Sequence, residues 1–147
     1  MESAGVPEAS ARRWCSAVAD MEVPYGDALM LPFWAGAARK ELRVQRCLAC
    51  GAHQFYPRPF CLACGSDSVT WVASSGKATV YSLTTIHRAV APEWTPPYVV
   101  ALVDLDEGPR LTTVIVGEKP ASIGDRVRLA WREREGLPPL PVFEREE

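Results

Sequence analysis

Four of the five cysteines of this chain form two pairs with the same spacing. The first pair lies in Cys47-Leu48-Ala49-Cys50-Gly51, and the second, after nine further residues, lies in Cys61-Leu62-Ala63-Cys64-Gly65. Two residues between the cysteines allow both thiolates of one tight turn to reach the same ion. The glycine after each pair fits that turn, because glycine adopts a positive φ at little cost. The spacing therefore predicts a four-thiolate metal site formed by Cys47, Cys50, Cys61 and Cys64.

Zinc is the metal that these donors suit best. Zn²⁺ binds four thiolates in a tetrahedron at about 2.3 Å. The loop between the pairs is shorter than the roughly 15–20 residues common in zinc fingers, and it matches a compact ribbon. Iron in the same cage, as in rubredoxin, and a redox-active dithiol are the alternatives, although a dithiol would not explain the duplicated pair. Since four protein ligands leave no open coordination position, we predict a structural zinc rather than a catalytic one.

The rest of the sequence carries no recognisable catalytic motif. Gly76-Lys77 lacks both the preceding glycine and the following hydroxyl residue of a phosphate-binding loop, and no Gly-x-Ser-x-Gly elbow occurs. The two histidines are His53, in the ribbon, and His87, at the end of a predicted strand. We therefore predict that this chain has no catalytic residues of its own.

The composition argues against some broad classes of function. The 147 residues are 48% hydrophobic and 23% charged, as expected for one compact domain or two small ones. The formal net charge of −2 disfavours general nucleic-acid binding, which requires an excess of Lys and Arg. No apolar stretch approaches the roughly 20 residues of a membrane span, and the N-terminus does not resemble a secretory signal. A cytoplasmic protein with no membrane association is the expectation.

The first half of the chain divides into three predicted segments. Residues 1–27 form a leader extension with irregular or partly helical structure, in which Cys15 is expected to be a small hydrophobe rather than a nucleophile. Residues 28–45 carry apolar residues at helical spacing and predict one or two short helices. The zinc ribbon follows at residues 46–72.

Residues 76–145 are predicted to form a five-stranded barrel of the OB type. β-branched residues are frequent there, and Val127, Leu129 and Trp131 alternate with arginines, as in a strand with one buried face. The predicted strands are Thr79–His87, Tyr98–Leu105, Leu111–Val116, Arg126–Arg132 and Leu140–Glu144. The fold class is therefore mainly β, with short N-terminal helices, a rubredoxin-like zinc ribbon and a C-terminal barrel.

Six residues are candidates for contact with an anionic ligand or a protein partner. They are Arg39, Lys40, Arg43, Arg58, His87 and Trp94. The first three form the most basic stretch of the chain, for which a solvated helix face is the alternative interpretation. Arg58 lies among the ribbon's aromatic residues, which could instead cement the ribbon to the barrel. His87 and Trp94 belong to the proline-rich region around Arg88–Pro97, a loop that could serve as a lid or an interface arm.

Several motifs together resemble those of a known family. They are Phe33-Trp34, Leu42-x-x-Gln45-Arg46-Cys47-x-x-Cys50-Gly51, Tyr56-Pro57-Arg58, Cys61-x-x-Cys64-Gly65, Gly76-x-x-x-Val80-Tyr81-Ser82, Pro97-Tyr98-Val99-Val100-Ala101-Leu102-Val103, Glu107-Gly108-Pro109-Arg110-Leu111 and Ile123-Gly124-Asp125-x-Val127. Over residues 29–143 the chain resembles acyl-CoA-associated proteins with a rubredoxin-like zinc ribbon and an OB-fold. That family was long labelled a domain of unknown function.

The resemblance implies an accessory role. Members of the family resemble subunits that occur beside thiolase-like proteins in the degradation of steroids and aromatic compounds, and beside hydratases and aldolases that act on CoA thioesters. It implies a hetero-oligomer in which a thiolase-fold partner supplies the catalytic cysteine and histidines. This chain would pack on that partner, close its site or hold the CoA, and the six contact candidates would then touch CoA or the partner.

Two other functions are alternative hypotheses for this chain. Zinc ribbons and OB barrels also bind nucleic acids, although only Arg126, Arg128 and Arg132 line a predicted strand here. A stand-alone acyl-CoA-binding protein is the second alternative, and it would bind CoA tightly without a partner.

Overall fold

The computed structural model describes residues 28–147. The predictions for residues 1–27, including that for Cys15, lie outside this part of the chain. Within it, no helix has the length and apolar character needed to cross a membrane. The order of elements is one short helix, a three-stranded sheet and a closed five-stranded barrel, which confirms the predicted fold class.

A 3-10 turn, Ala28–Met30, leads into the helix α1, Leu31–Ala38. Pro32 lies in the first turn of α1, where its missing N–H costs no hydrogen bond. The helix buries Phe33 and Trp34 together with three small residues that follow them. The large aromatic side chains on a short helix therefore anchor it to the core.

The prediction that helical structure continues to residue 45 is wrong, since α1 ends at Ala38. Lys40 adopts a φ of 59°, which lies in the left-handed region and turns the chain back. A Cβ on Gly36 would lie 2.7 Å from the carbonyl oxygen of Glu41, so only glycine allows the returning chain to approach the helix this closely. The next residues form a strand, Arg43–Cys47, beside the helix.

The ribbon sheet has three antiparallel strands in the order β2-β1-β3. Strand β1, Arg43–Cys47, lies in the centre between β2, His53–Gln54, and β3, Val69–Ala73. Cys47 is the last residue of the central strand, so the sheet positions the first cysteine of the metal site.

The barrel follows with the strand order β4-β5-β6-β8-β7. Its strands are β4, Lys77–Ile86; β5, Tyr98–Leu105; β6, Arg110–Val116; β7, Arg126–Arg134; and β8, Leu137–Arg145. Each predicted strand is present, and the bounds of β5 agree at both ends. A parallel pairing of β6 with β8, and an antiparallel pairing of β4 with β7, close the sheet.

One hydrophobic core joins the helix, the ribbon and the barrel. It contains Phe33, Trp34, Leu42 and Val44 from the first part of the chain, and Val80, Val103, Val127 and Phe143 from the barrel. Full burial of such a side chain stabilises the folded state by roughly 1.5–3 kcal/mol. The ribbon therefore sits on a shared core through β1 rather than standing apart from the barrel.

Ser74 and Ser75 connect the ribbon to the barrel, and the turn between β5 and β6 holds this connection. The Glu107 carboxylate accepts hydrogen bonds from the Ser75 N–H at 2.6 Å and from the Ser74 hydroxyl at 2.9 Å. Gly76 follows with a φ of +75°, and a Cβ there would lie 2.9 Å from the Cβ of Leu129. The sequence therefore needs glycine at this point both for its backbone angle and for its small size.

Candidate metal centre

The two cysteine turns have the same backbone geometry. In the first, the Gly51 N–H donates to the carbonyl oxygen of Cys47 at 2.9 Å, and in the second the Gly65 N–H donates to that of Cys61 at 2.8 Å. Both glycines have a φ of 77°, and no atom lies within 4 Å of a Cβ built on either. Glycine is therefore required at these positions for its backbone angle alone.

The four thiols form a compact cluster whose dimensions suit zinc. The Sγ atoms of Cys47 and Cys64 lie 3.6 Å apart, and those of Cys50 and Cys61 lie 3.7 Å apart. All four sulfur atoms lie within 4.8 Å of one another. A zinc ion bonded to four sulfurs at about 2.3 Å gives sulfur–sulfur edges of about 3.8 Å. The donor set and its spacing therefore fit the predicted tetrahedral site.

The electrostatics of the cluster also favour a cation. The Cys50 N–H donates to Cys47 Sγ at 3.5 Å and lowers the pKa of the Cys47 thiol to about 6. At Cys64 the Ser66 N–H favours the thiolate, yet the neighbouring sulfurs of Cys47 and Cys50 raise the pKa of that thiol to about 12. Four thiolates cannot share this volume without a compensating charge, which a divalent metal ion would supply.

The cluster lies at the surface of the ribbon. Cys47 and Cys61 are buried, whereas Cys50 and Cys64 are exposed. Each turn thus places its first cysteine toward the core and its second toward solvent. A metal ion bound there would be linked to the core of the ribbon through Cys47 and Cys61, and it would lie close to solvent at Cys50 and Cys64.

Two buried glutamines order the loop between the turns, a role that no motif in the sequence predicted. Gln45 on β1 is 2% exposed and Gln54 on β2 is 9% exposed. The Gln54 amide donates to Gln45 Oε1 at 2.8 Å and to the carbonyl of Phe60 at 3.0 Å, and its oxygen accepts from the Leu62 N–H. Gln54 therefore positions the backbone on both sides of Cys61.

Gln45 holds the other half of the same loop. Its oxygen accepts a hydrogen bond from the Arg58 N–H at 2.8 Å, and its amide donates to the Arg58 carbonyl at 3.0 Å. In the sequence, each glutamine follows or precedes one apolar residue, Val44 or Phe55, and Gln45 belongs to one of the family motifs. Polar residues in a small sheet are usually solvated, so that signal is weak.

The three basic candidates before the ribbon bind carboxylates of this chain. Arg43 Nε lies 2.7 Å from a carboxylate oxygen of Glu41, and a guanidinium nitrogen of Arg39 lies 4.0 Å from the other. Lys40 Nζ lies 2.7 Å from Glu133 on β7. Their charges are therefore partly neutralised within the protein.

The other three candidates lie in different places. Arg58 is held by its backbone, and its guanidinium donates a hydrogen bond to the carbonyl of Pro57 at 3.3 Å. His87 is exposed directly after β4. Trp94 stacks on Tyr98 with 5.5 Å between ring centroids. The structure thus does not gather the six candidates into one site, and their contact with CoA or a partner stays a prediction.

Trp94 lines one open cavity of about 410 Å³ together with Glu133, the residue that pairs with Lys40. Its lining includes Glu93, Trp94, Arg132, Glu133, Arg134, Glu135, Leu137 and Leu140. The Arg132 guanidinium carbon lies 3.8 Å from the centre of the Trp94 ring, and Arg132 also donates to the carbonyl of Glu93. Arg134 donates two hydrogen bonds to the carbonyl of Pro138. Its partial burial lowers the pKa of its guanidinium. Because three glutamates line this cavity against two arginines, its charge does not favour a phosphate group.

The aromatic residues of the ribbon pack on the helix. The ring centroid of Phe55 lies 5.4 Å from that of Phe33 on α1, and Tyr56 packs against Phe55 at 4.5 Å. The barrel reaches the same cluster through Arg134, whose guanidinium carbon lies 5.5 Å from the centre of the Trp34 ring. The helix therefore mediates between ribbon and barrel.

Two family models match consecutive parts of the chain. The model described as the rubredoxin-like zinc ribbon domain of ChsH2 matches residues 34–70, and the one described as the C-terminal OB-fold domain of ChsH2 matches residues 71–132. These two ranges cover the four cysteines and most of the barrel.

Curated relatives and a solved structure agree with these matches. The chain is 43% identical over 114 residues to a probable enoyl-CoA hydratase alpha subunit of Thermomonospora curvata, covering 76% of this chain and 36% of that protein. It is 38% identical over 115 residues to the 3-oxo-4,17-pregnadiene-20-carboxyl-CoA hydratase alpha subunit of Mycobacterium tuberculosis, covering 71% of this chain and 37% of that protein. The chain thus spans little more than a third of the length of these two relatives.

Among solved structures, the chain is similar to one from an Ltp2-ChsH2(DUF35) aldolase. The TM-score is 0.76 and the sequence identity 38%, over 83% of this chain and 98% of that chain. Here the similarity extends over nearly the whole of the compared chain, including both ribbon and barrel.

Proposed function

The chain belongs to the DUF35 family of ChsH2-type zinc-ribbon and OB-fold proteins, and on that premise we propose that it is a non-catalytic subunit of an acyl-CoA hydratase or aldolase complex. The observation that carries this proposal is the match to the ChsH2(DUF35) chain of an aldolase, with a TM-score of 0.76 over 98% of that chain. The names of the two hydratase alpha subunits support the same class of substrate, a CoA thioester.

The metal centre is proposed to hold one structural zinc. Cys47, Cys50, Cys61 and Cys64 would bind it, and their sulfur spacing suits a closed tetrahedral shell. The zinc would supply no chemistry to a substrate, because four protein ligands leave it no open position. Its contribution would be to fix the two cysteine turns relative to the ribbon sheet.

The catalytic groups are proposed to lie on the partner subunit. We further propose that this partner has a thiolase fold and cleaves a carbon–carbon bond of a CoA thioester, in the degradation of an aromatic compound or a steroid. The aldolase name of the solved relative supports a carbon–carbon bond reaction, and the pregnadiene name of the second hydratase supports a steroid.

For this subunit, closing the partner's site is better supported than holding the CoA phosphates. Lys40 and Arg43 are each bound to a glutamate at 2.7 Å, so a phosphate would have to displace a carboxylate of this chain. The cavity beside Trp94 is lined by three glutamates against two arginines, and each arginine already donates to a backbone carbonyl of this chain. Phosphate recognition is therefore proposed to belong mainly to the partner.

Co-expression with a candidate catalytic subunit tests the proposal. We expect the two chains to co-purify in stoichiometric amounts, and the turnover of an acyl-CoA by the partner to depend on this chain. A partner that purifies alone and turns over its substrate at the same rate with and without this chain would contradict the proposal. The isolated chain should show no turnover.

The nucleic-acid alternative loses support from the ion pairs of β7. Arg126 binds Asp106 at 2.7 Å and Arg128 binds Glu144 at 2.7 Å, so a nucleic-acid phosphate would have to compete with a carboxylate of this chain at both of these arginines. Salt-dependent binding of single-stranded DNA at micromolar protein would revive that alternative. The other alternative is a stand-alone acyl-CoA-binding protein. Calorimetry of the isolated chain with CoA tests it, since such a protein would bind CoA tightly without a partner.

A further inference from the structure

The two cysteine turns expose apolar side chains at matching positions. Leu48 follows Cys47 and is 67% exposed, while Leu62 follows Cys61 and is 64% exposed. The alanine after each leucine is exposed too, and so is Phe60 at 46%. We call Leu48, Ala49, Phe60, Leu62 and Ala63 the knuckle surface. Because both turns belong to one sulfur cluster, these residues lie around the same end of the ribbon.

The fold of the ribbon does not require these leucines. The turn uses their backbone, since the Leu48 N–H donates to the carbonyl of Ser68 at 2.8 Å and the Leu62 N–H donates to Gln54 Oε1 at 3.0 Å. Their side chains meanwhile remain largely in solvent. A polar residue at either position would make the same backbone hydrogen bonds, so the fold of the ribbon does not account for a large apolar side chain at either one.

The charged residues near the knuckle surface differ from those on the barrel. Arg46 on β1 and Arg58 in the ribbon loop are exposed, and within residues 28–147 neither has a carboxylate at ion-pair distance. On the barrel, Arg110, Arg126 and Arg128 each bind an aspartate or glutamate of this chain. The ribbon thus presents apolar side chains together with the unpaired Arg46 and Arg58, and with one exposed acidic residue, Asp67, three positions after Cys64.

We propose that the knuckle surface is where this subunit docks on its catalytic partner, through a partner face that is apolar at its centre and acidic at its rim. This inference rests on the proposed function, which supplies the partner. The apolar leucines match the dry centre of a protein interface, and the unpaired arginines match carboxylates at its edge. Docking would also cover the exposed Cys50 and Cys64, so the partner would shield the metal centre from solvent.

The test is the affinity of the full chain for its co-purified catalytic subunit, measured with purified proteins. We expect Leu48→Ser with Leu62→Ser to weaken binding by roughly 30-fold or more, as for truncation of central interface residues. The matched control is Ile123→Ser on a barrel loop, because Ile123 is 69% exposed and equally apolar. It should leave the affinity within about threefold.

Further readouts separate docking from a loss of fold. Zinc content and the thermal midpoint of the double variant should equal those of the wild type, since both leucines are exposed. Arg46→Glu should weaken binding more at low salt than at high salt, because exposed charges are screened. In the complex, chelator-driven zinc release should be slower than in the free subunit.

The outcomes distinguish this inference from the proposed function. If the wild-type chain binds no acyl-CoA hydratase or aldolase subunit, the proposed function fails. If the wild type binds and the double leucine variant binds equally well, the docking inference alone is overturned. It is also overturned if Val90→Ser, in the loop after β4, abolishes binding instead, or if the leucines prove to hold two copies of this chain together.

Discussion

The ribbon sheet and the barrel differ in what holds them together. The barrel is a closed five-stranded sheet around fully buried side chains such as Val80, Val103 and Phe143, with ion pairs outside. The ribbon sheet has a strand, β2, of only two residues, and the buried residues of the ribbon include two cysteines and two glutamines. Burial of apolar surface suffices for the barrel, whereas the ribbon depends on specific polar groups and a metal.

This difference predicts two kinds of response to mutation. In the barrel, the cost of a substitution should follow the volume of apolar side chain removed. In the ribbon, it should follow the loss of a ligand or of a hydrogen-bonding group, at nearly constant volume. The two regions share a core through Leu42 and Val44, so an effect confined to one region would show that this shared core does not couple them fully.

The largest expected effect is that of removing a metal ligand. Cys47→Ser, at nearly constant volume, should abolish stoichiometric zinc binding and unfold the ribbon, because three thiolates no longer close the tetrahedron. Zinc analysis and NMR spectra of the amides of β1 and β3 measure this, and the amides of β5 should stay dispersed. The control is Cys15→Ser, which lies outside the four-cysteine set and should leave zinc content unchanged. Full zinc occupancy in Cys47→Ser would contradict the four-thiolate site.

The opposite response is expected from the barrel core. Phe143 is fully buried in β8, and Phe143→Ala should cost about 3–5 kcal/mol of unfolding free energy through lost burial and a cavity. Urea denaturation measures the change, and zinc content of the folded fraction should be unaltered. A matched change at an exposed position of the barrel, Thr84→Ala, should cost far less. Equal losses at the two positions would contradict the expectation that the stability of the barrel follows the volume of buried apolar side chain removed.

The third-largest effect on stability is expected from the hydrogen-bond network of Gln45 and Gln54. Gln54→Leu keeps the size of a buried side chain but leaves the Phe60 carbonyl and the Leu62 N–H without their partner, and it removes one of the two hydrogen bonds to Gln45 Oε1. Unsatisfied buried groups cost about 1–3 kcal/mol, so the thermal midpoint should fall and zinc affinity should weaken with it. Arg46→Gln, at an exposed site on β1, is the control. A Gln54→Leu protein that binds zinc as tightly as the wild type would show that the network does not position the second turn.

The sequence predicted what is encoded locally. Two residues between cysteines fix a turn, and alternation such as that of Val127 and Leu129 fixes a strand face, so the cysteine cluster and the five barrel strands were predicted. The end of α1 at Ala38 could not be predicted in this way. Apolar residues at helical spacing continue past Ala38, and no sequence signal marks the positive φ of Lys40. Residues 43–45 were therefore assigned to a helix instead of β1.

The groups that pair across the fold could not be predicted from sequence patterns. The ion pair of Lys40 with Glu133 joins residues far apart in the chain, and the hydrogen bond from Gln54 to Gln45 depends on the register of a two-residue strand. Such contacts depend on tertiary packing, which a local pattern does not determine. Such contacts determine whether a basic residue is already paired with a carboxylate of the chain. The sequence alone therefore could not show which contact candidates are paired in this way.

The smallest expected effect concerns the connection between the two regions. Burial raises the pKa of the Glu107 carboxyl, but the hydrogen bonds from Ser75 and Ser74 outweigh it and hold the pKa below its usual value. A pKa lowered on folding adds stability that is present above the unfolded value and is lost as the pH falls through the folded value. Since the group is partly solvated, the contribution should be below about 1 kcal/mol.

Glu107→Gln isolates this contribution, because glutamine retains one acceptor oxygen but does not titrate. Asp104 and Asp106 also have lowered pKa values, through Arg110 and Arg126, and they titrate in the wild type and the variant alike. The difference in unfolding free energy between the two proteins should therefore be largest near neutral pH and shrink as the pH falls below about 4. A difference that does not change with pH would mean that the Glu107 hydrogen bonds act only through geometry. In that case the connection between ribbon and barrel would not be an electrostatic one.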